Sequence, residues 1–148
     1  MTQRSKDIGT SGESAVVRFL RKNGFPHAER RALTGSLDQG DITGCLGLVW
    51  EVKAGNAART ASDAQILEWL KETEAERKNA GADHGFLVTV RAGVGPNNAG
   101  NWWVHTTTGT LLDLFDDSWS STGMGYVVRM RLADIVTMLR GSYGEPLS

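Results

Sequence analysis

The chain has 148 residues, 40% hydrophobic and 22% charged, which fits one folded domain able to bury a core. A formal net charge of −1 excludes a globally basic nucleic-acid binder, and a single cysteine excludes an internal disulfide or a cysteine-rich metal site. No apolar run reaches the length of a membrane span, and the polar stretch Met1–Lys6 lacks a signal peptide's apolar segment, so the expected compartment is the cytosol.

Residues 1–9 read as a flexible arm. Thr10–Lys22 reads as a helix: Thr10-Ser11-Gly12-Glu13 has capping-box form, and Val16, Val17, Phe19 and Leu20 supply an apolar stripe. Asn23-Gly24 stops it. His27–Leu33 is expected as a short strand with Arg30 and Arg31 on opposite faces, and residues 34–40 as a turn. Asp41-Ile42 opens a second short strand. Leu46–Lys53 is the clearest strand, with Leu48, Trp50 and Val52 on one face and Val49, Glu51 and Lys53 on the other. Ala54–Thr60 reads as a loop. Ser62 is placed to cap a helix from Asp63 to about Ala80, with Ile66, Leu67, Trp69 and Leu70 inward and Gly81 ending it. Phe86–Arg91 is a strand and Ala92–Asn101 a loop. Trp102–Thr106, Thr110–Phe115 and Tyr126–Met130 are further strands, Leu132–Arg140 is a short helix, and the tail from Gly141 is loose. The order α-β-β-β-α-β-β predicts an α/β fold, a mixed sheet flanked by helices. The whole chain, 1–148, forms one domain, with a core over about 4–106 and a C-terminal β/α extension over about 107–148.

Chemistry gathers at Asp41, Glu51 and Lys53. Glu51 and Lys53 share a strand face, and a strand-turn-strand containing Gly44 and Gly47 would bring Asp41 beside Glu51. Two carboxylates, a backbone carbonyl (that of Val52) and water suit Mg²⁺, with Mn²⁺ as a substitute. Such a metal would stabilise charge on a phosphate, and Lys53 would orient water or neutralise the charge that develops in reaction. On spacing alone, the same triplet also reads as surface charge on a strand. Residues 1–31 carry seven Lys or Arg against three acids, a basic segment beside the acids. His27, His84 and His105 lack a metal-ligand spacing. Gly93-Val94-Gly95-Pro96 lacks the Gly-Lys-Ser/Thr of a phosphate loop, so no nucleotide cofactor is expected.

These pieces together resemble the PD-(D/E)xK nuclease superfamily, and within it the archaeal-type Holliday-junction resolvases. The matching segments are Gly9–Glu13, Arg30-Arg31, Gly35-Ser36, Gly40-Asp41-Ile42 and Glu51-Val52-Lys53. Phe86–Val90 and Trp102–His105 are similar to the last two sheet strands. The resemblance covers roughly residues 4–105, and Gly40 stands where the superfamily often has proline. It implies a restriction-endonuclease-like fold, a metal held by Glu13, Asp41 and Glu51, Lys53 as catalytic lysine and Ser36 as an assisting serine. Glu13 also reads as the capping-box partner of Thr10, a compatible role. Gln65 and Trp69 resemble a Gln-aromatic pair of RecB-type nucleases, which would let Gln65 reach the site and DNA. Arg4, Lys6, Arg30 and Arg31 are the expected DNA contacts. The implied activity is structure-selective cleavage of four-way-junction DNA by a homodimer, its interface on the later strands or C-terminal extension. Other enzymes of the superfamily (an exonuclease, nicking or restriction enzyme) and a non-catalytic DNA-binding module are the alternatives.

Overall fold

A computed structural model describes residues 3–32, 38–115 and 125–147, without the side chains of Gln3 and Ser5. Helix α1 spans Gln3–Lys22, followed by strands β1 (Glu29–Arg30), β2 (Ile42–Thr43) and β3 (Leu48–Lys53). Then come a short helix α2 (Asn56–Arg59), the long helix α3 (Asp63–Ala80) and β4 (His84–Thr89). A 3-10 turn at Pro96–Asn101, β5 (Trp103–Thr107), α4 (Thr108–Phe115), β6 (Val127–Arg131) and α5 (Leu132–Leu139) complete the chain.

The six strands form one sheet in the order β1-β2-β3-β4-β5-β6. Only β3 and β4 are parallel, because α2 and α3 carry the chain back over the sheet between them. The other pairings are antiparallel. The fold is therefore α/β with a mixed sheet, as the order of elements predicts. Strand β3 is buried on both faces, consistent with its β-branched and aromatic sequence. On one face Leu48, Trp50 and Val52 pack with Phe86, Val88 and Val104 against α1 (Val16, Leu20) and α5 (Ile135, Val136, Leu139). The Trp50 and Phe86 rings lie 5.1 Å apart at its centre. Helix α3 covers the opposite face over β3 and β4. Helix α3 begins and ends as predicted: Ser62 Oγ accepts from the Gln65 N–H at 3.2 Å, and Gly81 closes it in a left-handed conformation.

Several local expectations are overturned. Residues 3–9 continue α1 rather than forming an arm, so Thr10 lies inside the helix and the Thr10–Glu13 capping box does not exist. Gly12 does not interrupt the helix because it is a contact point: a Cβ there would lie 2.9 Å from the Cβ of Ala54. Within 54–60, four residues form α2. Thr110–Phe115 belongs to a helix, since the Thr107 hydroxyl accepts the Thr110 N–H (3.2 Å) and starts α4 where a strand was expected. The tail is not loose: Glu145 N–H donates to Gly24 O at 2.6 Å, and Tyr143 donates to Asp83 at 3.1 Å. Among the apolar residues assigned inward on α3, Ile66 is buried while Leu67 is 46% exposed; Thr73 and Glu76 are the other buried positions. Strand β6 and helix α5 join the sheet and the main core respectively. No described helix is long and apolar enough to cross a membrane.

Candidate active site

The site is built on the α3 side of β3. Asp41 precedes β2, and its backbone N–H donates to Trp50 O at 3.0 Å. Its Oδ2 accepts the Val52 N–H at 2.8 Å, which fixes the carboxylate against β3 beside Glu51. The predicted strand-turn-strand thus delivers Asp41 to Glu51. Val52 therefore meets the cluster through its N–H.

Two further acids come from segments that sequence reasoning did not single out. Helix α3 runs antiparallel to β3, so Glu76 faces Glu51 while Glu72 and Trp69 face Lys53. Asp38 sits before β2, where its carbonyl accepts from Asn79 Nδ2 (2.8 Å) and its Oδ1 from the Gly40 N–H (3.0 Å). Carboxylate oxygens of Asp38, Glu51 and Glu76 lie within 4.8 Å of one another, and among the described residues they are the group placed to share a cation. Glu51 and Glu76 are 5% and 3% exposed. Burial, reinforced by Asp41 and Glu76, drives Glu51 far above the ordinary carboxylate range. Glu76 is pushed up to about 7, first by burial, with Asp38 and Asp41 adding to it. Glu76 Oε2 is buried with no N–H or hydroxyl donor, and its polar neighbours are other carboxylates. An all-oxygen, multiply acidic set with an orphaned buried oxygen fits a hard divalent cation.

The remaining predicted residues divide. Glu13 is on α1, close enough to Asp41 for that charge, after burial, to raise its pKa; Arg30 opposes this through a 3.5 Å ion pair. Lys53 Nζ lies 3.4 Å from Glu72 and 5.7 Å from the Trp69 ring centroid. Burial lowers the pKa of Lys53, but Glu51, Glu72 and Asp41 outweigh it and raise the value, so Lys53 is an ammonium near neutral pH. Arg31 donates to Gln39 at 3.1 Å, while Arg30 also reaches Thr10. Arg4 and Lys6 precede Glu13 by roughly 10–14 Å along α1. Gln65 is exposed in the first turn of α3, about 16 Å along the axis from Glu76. Ser36 lies outside the described residues. Cys45 is buried in the turn before β3, and burial pushes its thiol up to about 11.

Helical spacing could have found Glu76: Gln65, Trp69, Glu72 and Glu76 recur at four, seven and eleven residues along one face of the predicted helix. No comparable signal marks Asp38, which depends on the contact with Asn79. Compared with protein-family models, curated proteins and solved structures, the chain matches none.

The acid cluster carries a stability prediction. Glu51 and Glu76 have folded pKa values above their unfolded ones, so the native state holds extra protons above pH 4.5. Their stabilising contribution is complete below that pH and is lost as pH rises, for Glu76 through about 7 and for Glu51 well beyond it. In a chelator, thermal melting is expected to show a loss of about 2 kcal/mol between pH 5 and pH 8 from Glu76 alone, with Glu51 adding to it in the same direction. If the cluster holds a cation, millimolar Mg²⁺ or Mn²⁺ is expected to restore it at pH 8 by displacing the protons of these acids. A melting temperature indifferent to both ions at pH 8 would remove the metal assignment.

Proposed function

We propose that the chain is a metal-dependent endodeoxyribonuclease of restriction-endonuclease-like fold, acting on branched DNA and resolving four-way junctions by phosphodiester hydrolysis. The observation that carries this reading is the convergence of Asp38, Glu51 and Glu76, with Asp41 against Glu51 and Lys53 two residues along the same strand face, and Glu13 at the margin. The arrangement of antiparallel β1–β3, a helical crossover and a parallel β4 supports the fold assignment.

Asp41, Glu51, Glu76 and Asp38 would hold a Mg²⁺ or Mn²⁺ ion. When bound, such an ion supplies Lewis-acid stabilisation of phosphate oxygens and a more acidic water. The chain's own part is to hold these carboxylates against each other at a cost that a cation relieves. Lys53, being cationic, is a poor base. It instead donates hydrogen bonds to an attacking water or to the phosphate oxygens as negative charge grows on them. Water attacks phosphorus, the P–O bond to the leaving sugar oxygen breaks, and a 5′- or 3′-phosphate end remains. Paired incisions across a junction require two sites in fixed geometry, hence a homodimer.

Four-way junction, duplex and single-stranded DNA incubated with and without Mg²⁺ test the reading. Cleavage is expected on the junction and only with the ion. If no DNA is cut in Mg²⁺ or Mn²⁺, the chain is a non-catalytic DNA-binding module. Lys53→Ala is expected to slow cleavage about a hundredfold, as loss of a preorganised charge does, with an unchanged Mg²⁺-induced rise in melting temperature. A normal rate would make Lys53 the structural partner of Glu72 alone.

A further inference from the structure

A recess of about 770 Å³ lies beside the acid cluster on the same face of the sheet. Helix α3 covers β3 and β4 there and leaves β5 and β6 partly open. The floor is Thr89, Trp103, His105 and Arg129; α2 and the start of α3 form a wall that includes Arg59, Ile66 and Leu67. By sheet register, Lys53 aligns with Thr89 and Thr89 with Trp103. Lys53 and Trp103 are therefore two strands apart, roughly 10 Å.

Trp103 organises the charge. Arg91 and Arg129 each stack on its ring, 4.0 Å from the centroid, and so are held at a fixed separation. Neither has a carboxylate partner among the described residues, in contrast to Arg30, Arg77 and Arg131. A stacked guanidinium presents its N–H edge to a planar or tetrahedral oxyanion; Arg91 uses one N–H on Asn101 O at 3.4 Å, and its other N–H groups remain for a phosphate. Arg59 adds a third cation, and Asp63 is the one carboxylate among the described lining residues. His105 adds no charge at neutral pH: burial, helped by Arg129, pushes it down to about 4, and its Nε2 is 2.9 Å from the Thr89 hydroxyl.

We infer that this recess binds an unpaired nucleic-acid strand, its phosphates on Arg91 and Arg129 and its bases against the apolar wall of Ile66, Leu67 and Val127. Cations on the floor and an apolar wall match the two halves of a nucleotide. The volume is that of a small-ligand site and takes a short strand segment, too little for a duplex. The inference rests on the nuclease reading of the neighbouring acids: the strand so held leads directly to Lys53 and Glu51.

Fluorescence anisotropy of a labelled oligothymidylate, measured in EDTA so that cleavage plays no part, tests it on the full chain. Wild type is expected to prefer the oligonucleotide to a blunt duplex of equal length. Arg91→Gln with Arg129→Gln should weaken oligonucleotide binding by about tenfold or more. It should also flatten the log–log salt dependence by about 1.4, the value for two phosphate contacts on a single strand. Arg59→Gln, on an exposed residue that does not touch Trp103, is a second variant and should weaken binding in the same direction. Unchanged affinity in both variants, with circular dichroism showing both folded, overturns the inference. So does a wild-type preference for duplex. The two readings fail separately: a chain that binds the oligonucleotide through these arginines but cuts nothing in Mg²⁺ keeps the groove and loses the nuclease.

Discussion

Glu51→Gln is expected to lower the cleavage rate on the order of a thousandfold while leaving DNA binding intact or slightly tighter. The substitution keeps the size of the side chain and removes one charge from the buried centre of the acid cluster. Cation binding depends on that charge. DNA binding draws on basic groups that lie elsewhere, and loses a nearby repulsion. Asp41→Asn should act in the same direction, with an added structural cost. Its carboxylate accepts the Val52 N–H, and an amide can turn its NH₂ towards that donor. The two effects separate in a chelator. Glu51→Gln should raise the melting temperature at pH 8, because the buried amide, unlike the carboxyl, needs no proton to be neutral in the fold, and should abolish the further rise on adding Mg²⁺. Cleavage by Glu51→Gln at the wild-type rate in Mg²⁺ would end the active-site assignment.

The second large effect is expected at Gly44, in the turn that joins β2 to β3. Gly44 has φ +86°, and an added Cβ would overlap the carbonyl of His27, with its carbon at 2.6 Å. A left-handed conformation costs an L-residue about 1–2 kcal/mol, and the overlap with fixed backbone adds a similar amount. Gly44→Ala should therefore destabilise the chain by about 3 kcal/mol or more by urea denaturation, a substantial part of a domain's stability. Because the turn sets Asp41 against Glu51, the variant should also lose cleavage at temperatures where it stays folded. Gly93→Ala is the comparison. Its φ is +78°, but a Cβ there meets nothing within 4 Å, so only the conformational cost of about 1 kcal/mol remains. Equal losses at the two glycines would show that the overlap at His27 is relieved cheaply and that the turn does not fix the site.

The sequence by itself determined the elements whose signals are local. Strand β3 announced itself through alternation over Leu48–Lys53, and that alternation put Glu51 and Lys53 on one face. Helix α3 carried its own start at Ser62 and stop at Gly81. Trp102 and Trp103, adjacent where β5 begins, go to opposite sides, as successive residues of an extended chain do: Trp102 is buried among the core residues, while Trp103 lies between two arginines. The pairing of Asp41 with Glu51 was also legible, because a glycine turn between two short strands leaves few other registers. Tertiary structure alone decided the rest. Residues 1–9 read as an arm, yet they continue α1, and Gly12 inside that helix allows close approach to Ala54. Thr110–Phe115 has an apolar pattern compatible with strand or helix, and the Thr107 cap selected the helix. Glu76 and Asp38 reached the acid cluster only because α3 lies antiparallel to β3 and Asn79 grips the segment before β2. Spacing within an element is a property of the chain, but which elements lie against each other depends on burying all the apolar faces at once. A site assembled from α3, β3 and the segment before β2 is therefore fixed only when the core is.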